Sequence, residues 1–493
     1  VAAGMSRVIV IGAGLSGLAA ACHLTKAGHQ VTVIEREAHP GGRCAHARID
    51  GFSFDTGATV LTMPDLIDEP LRAVGSSVAE ALTLTRLDPA YRAVFADGSQ
   101  LMVRHGRDAM REEIARECGP ADAASFDDFV DWLAALYRTE MPNFVDVNYD
   151  SVIGLARHPA AMANLVRLRG FSRLGTQVRR WFSDDRLHRL FSFQAMYAGL
   201  APSDALAIYA VITYMDSIEG VWAPAGGMTA VPAALADAAA AAGASFHYGQ
   251  TVTGLVRRSD GRVAGVRIDD DRQLMADAVV CTMDLPEAYR ILLPDAQPPR
   301  ALTHGLFSPS AVVWHVGVRG VPRQAHHHNI HFGQAWDESF DDLLRHGTLM
   351  RDPSRLVSVP SLTDPSVAPQ GSSSLYVLEP VPNLQVGTID WERHTDVMRE
   401  GLLAFLDQAG YPTDIVTESL DTPETWRDLG LEYGTPFALA HTFTQSGPFR
   451  PANHTPSAPG LFFAGSSTVP GVGVPMVLIS GKLAAQRVGG YLS

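Results

Sequence analysis

Two glycine-rich segments at opposite ends of the chain have the residue types and spacing best suited to binding chemistry. The first, Gly12-Ala13-Gly14-Leu15-Ser16-Gly17, has G-x-G-x-x-G spacing. It follows the β-branched run Val8-Ile9-Val10-Ile11 and opens a helical pattern over 15–27, which Gly28 ends where a left-handed cap is favoured. A second apolar strand over 31–34 ends at Glu35. Such glycines permit a tight turn and let the backbone approach a pyrophosphate, which rests on the positive end of the next helix. Glu35, about 20 residues past the turn, stands where a ribose-binding carboxylate belongs. This order of parts predicts a dinucleotide site with an adenosine ribose on Glu35.

The residues that follow favour FAD over NAD. Arg36 suits a 2′-phosphate reader, but Glu35 before it would repel that phosphate. Gly41-Gly42-Arg43 offers backbone amides and one guanidinium to an extended flavin dinucleotide. Asp55-Thr56-Gly57-Ala58-Thr59 closes a short strand with a small-residue turn, where backbone can pass close to a flat ring. At the far end, an apolar strand over 461–465 leads into Ser466-Ser467-Thr468-Val469-Pro470-Gly471-Val472-Gly473-Val474-Pro475, followed by a helix over 476–488. Gly465, Gly473, Val474 and Met476 would then bring a second helix N-terminus to a flavin pyrimidine edge or ribityl phosphate.

Elements able to position these residues need a large core. The chain has 493 residues, 46% of them hydrophobic, and a formal net charge of −14. An acidic surface disfavours nucleic acid as a partner, because phosphate binding needs a positive footprint. Cys22, Cys44, Cys118 and Cys281 lie far apart without metal-ligand spacing, so neither a zinc site nor a disulfide scaffold is expected. No run approaches 18 uninterrupted apolar residues, so no spanning helix is expected. The first apolar stretch runs directly into the glycine turn rather than into a cleavage site, which reads as a cytoplasmic protein.

Together these residues resemble the bacterial-type carotenoid (phytoene) desaturases, within the flavin-containing amine oxidoreductases. The resemblance covers nearly the whole chain. Its anchors are the glycine turn, Gly41-Gly42-Arg43 and Asp55-Thr56-Gly57, then Trp222-Ala223-Pro224 with Gly226-Gly227. Ser361-Leu362-Thr363-Asp364-Pro365-Ser366 with Ala368-Pro369, Glu379-Pro380-Val381-Pro382-Asn383, Thr444-Gln445-Ser446, Phe449-Arg450-Pro451 and the Pro470–Pro475 run complete the set. The resemblance implies an α/β fold whose Rossmann-like FAD-binding domain is assembled from discontinuous segments. It further implies a sheet-based substrate domain and a helical membrane-associating region. The expected division is FAD-binding over 1–85, 216–300 and 436–493, mostly helical over 86–215, and substrate-binding over 301–435. It also implies that backbone near Val252 meets the adenine, and that an apolar polyene is the substrate.

The stretch 157–189 is out of character for so acidic a chain. Arg157, Arg167, Arg169, Arg173, Arg179, Arg180, Arg186 and Arg189 stand against only Asp184 and Asp185, interleaved with Leu165, Val166, Leu168, Phe171, Leu174, Trp181 and Phe182. Arginines at lipid phosphates above inserted apolar groups would give this pattern, as would a helix pair with one wet side. The first reading makes the protein peripherally membrane-associated. Further on, a helix over 231–242 and a strand pair over 251–256 and 263–268, turning at Asp260-Gly261, should rejoin the N-terminal sheet through the next strand, 278–282. His326-His327-His328 with His331 has strand-like surroundings, where neighbouring imidazoles point to opposite faces, so no metal is assigned.

No Ser-His-Asp, Cys-His or paired-carboxylate spacing can be argued, which fits chemistry carried by a flavin. Glu219, Asp216 and His441 are the titratable side chains available as a base, with no spacing that selects among them. The resulting expectation is FAD-dependent desaturation of a C40 carotenoid precursor. A carotenoid isomerase or oxidase and a retinol-saturase-like enzyme share the same scaffold. A non-catalytic lipid carrier is the reading from another class, opposed by the intact glycine turns at both ends.

Overall fold

The computed structural model describes residues 5–493 apart from Asp150 and Asp270; residues 1–4 of the first expected FAD-binding segment lie outside the described residues. Strands drawn from distant parts of the chain build one five-stranded parallel sheet. Its order is Ser245–Tyr248, Gln30–Glu35, Arg7–Ile11, Ala278–Cys281, Leu461–Phe463. That is the doubly wound order, with its topological switch between Arg7–Ile11 and Ala278–Cys281.

The sheet is covered on both faces, which explains the nearly continuous apolar strands. Side chains alternate: Val8, Val10, Val31 and Val33 meet the helices Leu15–Lys26, Ala230–Ala241 and Val474–Leu492. Ile9, Ile11 and Ile34 meet an antiparallel ribbon, Val252–Arg257, Val263–Ile268 and Gln273–Met275, and the helix Leu285–Leu292. The expected strand pair over 251–268 therefore forms a sheet of its own. The segments that rejoin the main sheet are Ala278–Cys281 and the short edge strand Ser245–Tyr248, whose half-exposed residues give no apolar run to read.

The first and last helices pack unusually closely. A Cβ added at Gly481 would lie 2.2 Å from the Ser16 carbonyl oxygen, and one at Gly17 would lie 2.1 Å from that of Gly12. Only hydrogen at these positions lets the helix approach both its neighbour and its own turn. The last helix begins earlier than expected, at Val474, because Pro475 in its first turn has no amide to lose.

A seven-stranded sheet forms the second layer, ordered Asp414–Asp421, Ser310–Arg319, Ser372–Val381, Arg355–Ser358, His328–His331, Tyr91–Val94, Gln100–Val103. Trp314, Val316 and Val318 pack on the helix Trp391–Gln408, while Ala311, Val313 and His315 face the interior. Two of its strands come from 91–103, within the stretch expected to be mostly helical. Between Arg107 and Ile218 the described residues are mostly helical, led by Arg107–Glu117 and Pro120–Glu140. Phe126, Phe129, Phe182 and Phe191 form its aromatic core, with ring centroids 5.0–5.9 Å apart.

This core takes most of the apolar groups of 157–189. Leu165, Leu174 and Phe182 are buried in it, and Leu168 and Trp181 pack against it. Val166 and Phe171 remain outward-facing, at 64% and 37% exposure. Arg157, Arg167, Arg169, Arg173, Arg179 and Arg180 are exposed, whereas Arg186 pairs with Asp184 at 2.7 Å and Arg189 with Asp185 at 2.9 Å. The histidines of 327–331 are engaged one by one: His327 by Thr363, His328 by Ser358 and His331 by Tyr411, at 2.8–3.0 Å. Among the described residues, no helix is long and apolar enough to cross a membrane.

Candidate active site

The carboxyl ends of the parallel strands open on a cavity of about 1440 Å³. Pockets for drug-sized ligands span roughly 300–1,000 Å³, so this one has room for more than one such molecule. Every predicted binding position except Gly17 borders it: Gly12, Gly14, Leu15, Ser16, Glu35, Arg36, Gly41, Gly42, Arg43, Gly57, Ala58, Thr59, Val252, Gly465, Gly473, Val474 and Met476. Gly17 serves the close packing described above. The cavity continues between the inner face of the seven-stranded sheet, at Val313, Tyr376 and Leu378, and the helical layer, at Phe193, Ile208 and Val211. Leu155, Met162, Phe171, Phe443 and Phe449 also border it, and Phe171, Phe443 and Phe449 are exposed to solvent as well.

Two helix N-termini converge on this space. Leu15–Lys26 starts at Gly14 and Val474–Leu492 at Gly473, and neither has a side chain capping its first amides. Such uncapped donors form a site for an anion or an electron-rich edge. Glu35 is buried at the end of its strand, where Oε2 accepts from the Ala13 amide at 2.6 Å and Oε1 from that of Glu37 at 3.0 Å. Each oxygen retains a lone pair for a ligand hydroxyl. Arg36 reaches away, donating to the Leu429 carbonyl at 2.9 Å.

The loops around the cavity are tied by polar groups. Arg43 is exposed on the cavity, donating to Ser466 Oγ at 2.7 Å and to the Pro436 carbonyl. Desolvation there lowers its pKa, and neighbouring Asp284 opposes the shift. Asp284, raised by its own burial, accepts from the Glu432 amide at 3.0 Å and Ser467 Oγ at 3.2 Å. Arg450 is fully enclosed and donates to the carbonyls of Leu439, Gln445, Ser466 and Thr468. Burial brings its pKa down to about 10, which leaves it charged at neutral pH. The turn that precedes the last helix passes so close to His441 that a Cβ at Gly471 would lie 2.1 Å from the ring.

The remaining sequence motifs hold the same frame. Asp55 accepts from the Met228 amide at 2.9 Å, opposite the start of Ala230–Ala241. Burial pushes its carboxyl up to about 7, against the pull of those amides. Asp364 accepts from the Gly226 amide at 2.7 Å, so Ser361–Ser366 and Gly226-Gly227 form one joint.

Of the side chains named as possible bases, Asp216 and His441 border the cavity, Asp216 buried and His441 half-buried, whereas Glu219 is exposed. Sequence reasoning missed Glu140, His315, Asp421 and Asp284, which line the same cavity. They come from separate elements, and no local spacing announces them.

A parallel sheet whose switch point faces two uncapped helix ends and a long apolar chamber defines a flavin-type, dinucleotide-dependent oxidoreductase. The sequence pattern of the family described as "Flavin containing amine oxidoreductase" matches residues 15–489. The chain is 49% identical over 491 residues to a phytoene dehydrogenase of Streptomyces griseus, covering 99% of this chain and 96% of that one. It is 37% identical over 490 residues to a zeta-carotene-forming phytoene desaturase of Myxococcus xanthus, covering 98% and 93%. Among solved structures it resembles an oxidoreductase from Methanosarcina mazei, with a TM-score of 0.63, 19% identity and coverage of 97% and 99%. Putrescine oxidase bound to putrescine gives 0.60 at 16% identity, with 99% of each chain covered; these two likenesses concern the fold. The chain belongs to the flavin containing amine oxidoreductase family, among the phytoene desaturases. It is an FAD-dependent oxidoreductase.

Arg450 provides a test of the frame. Arg450→Leu would strand several buried carbonyls, each costing about 1–3 kcal/mol when left unsatisfied. The expected result is a lower thermal midpoint together with reduced FAD content after purification. Wild-type values for both would show that Arg450 does not hold the loop.

Proposed function

We propose that the protein desaturates a C40 carotenoid precursor of the phytoene type, using FAD, in carotenoid biosynthesis. The observation that carries this reading is one cavity that joins the glycine turns to a long chamber walled by aliphatic and aromatic side chains. The names of the full-length relatives at 49% and 37% identity support it.

Leu15 and Ser16 would receive the pyrophosphate on the first helix, with Gly12 and Gly14 giving it room and Glu35 accepting the ribose hydroxyls. Val252 would face the adenine. Gly41, Gly42 and Arg43, together with Gly57, Ala58 and Thr59, would follow the extended cofactor toward its ring. Gly465, Gly473, Val474 and Met476 would meet the ring edge at the second helix. When bound, FAD supplies a two-electron oxidant able to take a hydride from an allylic carbon. The protein's part is to align the polyene along the chamber, exclude water and receive the proton that desaturation releases. The positive charge that develops is spread over the polyene, which reduces the demand on any one side chain.

The chamber's outer end supports membrane association. Phe171, Phe443 and Phe449 border the cavity and are exposed, and Ile153 and Val166 are exposed nearby in sequence, at 80% and 64%. Exposed Arg157, Arg167, Arg169 and Arg173 belong to the same part of the chain. Apolar groups in the acyl boundary with arginines at the phosphates would let a polyene pass from bilayer to chamber without crossing water.

Incubation with phytoene-loaded liposomes and FAD is expected to yield products lighter by two hydrogens per step, with absorption moving to longer wavelength. Products of unchanged mass would identify an isomerase instead. Separately, Arg167→Glu combined with Arg169→Glu should reduce co-sedimentation with anionic vesicles, more at low salt than at high. Undiminished sedimentation would remove this surface from the account.

A further inference from the structure

One polar cluster sits on the chamber wall with no use in the account above. Asp216 lies on Tyr214–Ile218, where the helix Ala210–Thr213 loosens into a π turn. Such turns recur at functional sites because they push one residue out of helical register. Asp216 is 3% exposed and borders the cavity. Its Oδ1 accepts from Ser217 Oγ at 2.6 Å and, more weakly, from Gln194 Nε2 at 3.4 Å. Its Oδ2 is buried without a hydrogen-bond partner. Tyr91 and Tyr197, on a strand and a turn beside it, are its titratable neighbours; Tyr197 also borders the cavity, and the Tyr91 hydroxyl lies close enough to act on both Asp216 and Tyr197, though without a hydrogen bond of good geometry.

A carboxylate kept only for structure is expected to have both oxygens satisfied, since an unpaired buried acceptor costs stability. Here Oδ2 has only the nearby Tyr91 hydroxyl, without a hydrogen bond of good geometry, in a residue that borders a cavity lined largely by hydrocarbon. Removing hydrogen from two adjacent carbons, by contrast, releases a proton that needs an acceptor. Resting on the desaturase reading, we propose that Asp216 takes this proton from the substrate. The C–H bond next to the oxidised allylic carbon breaks, its electron pair becomes the new double bond, and the proton passes to Asp216 Oδ2. The hydride's two electrons leave with the FAD, which ends reduced, and Asp216 ends as the neutral acid.

The environment suits the task. Burial raises the Asp216 pKa to about 7, while Ser217, Gln194 and Tyr91 pull it down, so much of it is ionised at neutral pH. A base poised near the working pH is the most effective kind. Glu140, which also borders the cavity with a buried oxygen lacking a hydrogen bond, is raised well above its ordinary value by burial alone, with no hydrogen bond pulling it back.

The test uses the FAD-loaded enzyme without oxygen and follows the loss of oxidised-flavin absorbance after phytoene is added. In the wild type the rate should rise with pH through about 7. Asp216→Asn should lower it by about 10²–10⁴-fold and flatten the profile, the usual span for losing a general base. FAD content and phytoene binding should be retained. Asp216→Glu should restore part of the rate with a displaced pH limb, and it keeps the test valid if the Asn variant does not fold. Infrared titration should show a carboxylic acid band vanishing near pH 7 in the wild type and missing in Asp216→Asn. An Asp216→Asn enzyme with wild-type rate and pH limb, or a limb that follows Glu140→Gln, would overturn the assignment. A wild-type enzyme whose flavin phytoene never bleaches would instead refute the desaturase reading.

Discussion

The structure depends on one ladder: Ala278–Cys281 pairs in parallel with Arg7–Ile11 on one side and Leu461–Phe463 on the other. Parallel pairing sends all three strands out at the same edge of the sheet. The turns that leave the outer two are therefore side by side, although almost the whole chain lies between them. Each turn starts a helix with uncapped amides, and the two helices pack closely where Gly481 meets Ser16. A ligand with an anionic middle and an electron-rich end can use both helix ends at once.

What surrounds that edge keeps it open and fixed. Arg450 is a charged group inside the protein with carbonyls on nearly all its donors, and Arg43, facing the cavity, is tied to the Pro436 carbonyl and Ser466 with Asp284 nearby. Such groups give less net stability than specificity, because an alternative loop path would leave a charge or several carbonyls unpaired. The ten-residue strands Ser310–Arg319 and Ser372–Val381 supply the opposite kind of wall, stiff and apolar, for the chamber beyond.

Much of this was legible from sequence wherever the determinant is local. The glycine turn, Glu35, and the strand and helix that close the chain announce themselves by spacing. Gly28 and Gly243 ended their helices as read, in left-handed backbone with φ of +83° and +108°. The strand Ser245–Tyr248 was not legible, because an edge strand with half-exposed residues has no apolar signature. The arginine-rich stretch was ambiguous, since alternating Arg and Leu describe a wet-sided core helix as well as a lipid-facing one. Leu165, Leu174 and Phe182 proved to be core. Glu140, His315 and Asp284 escaped notice because only the fold brings them to one cavity.

The central claim is that both helix ends hold the one cofactor, and amide hydrogen exchange with and without FAD tests it most directly. The account predicts that FAD slows exchange at Leu15–Gly17 and at Val474 and Met476–Val477 together, with the same concentration dependence. Protection confined to the N-terminal turn, with the last helix unchanged, would contradict it.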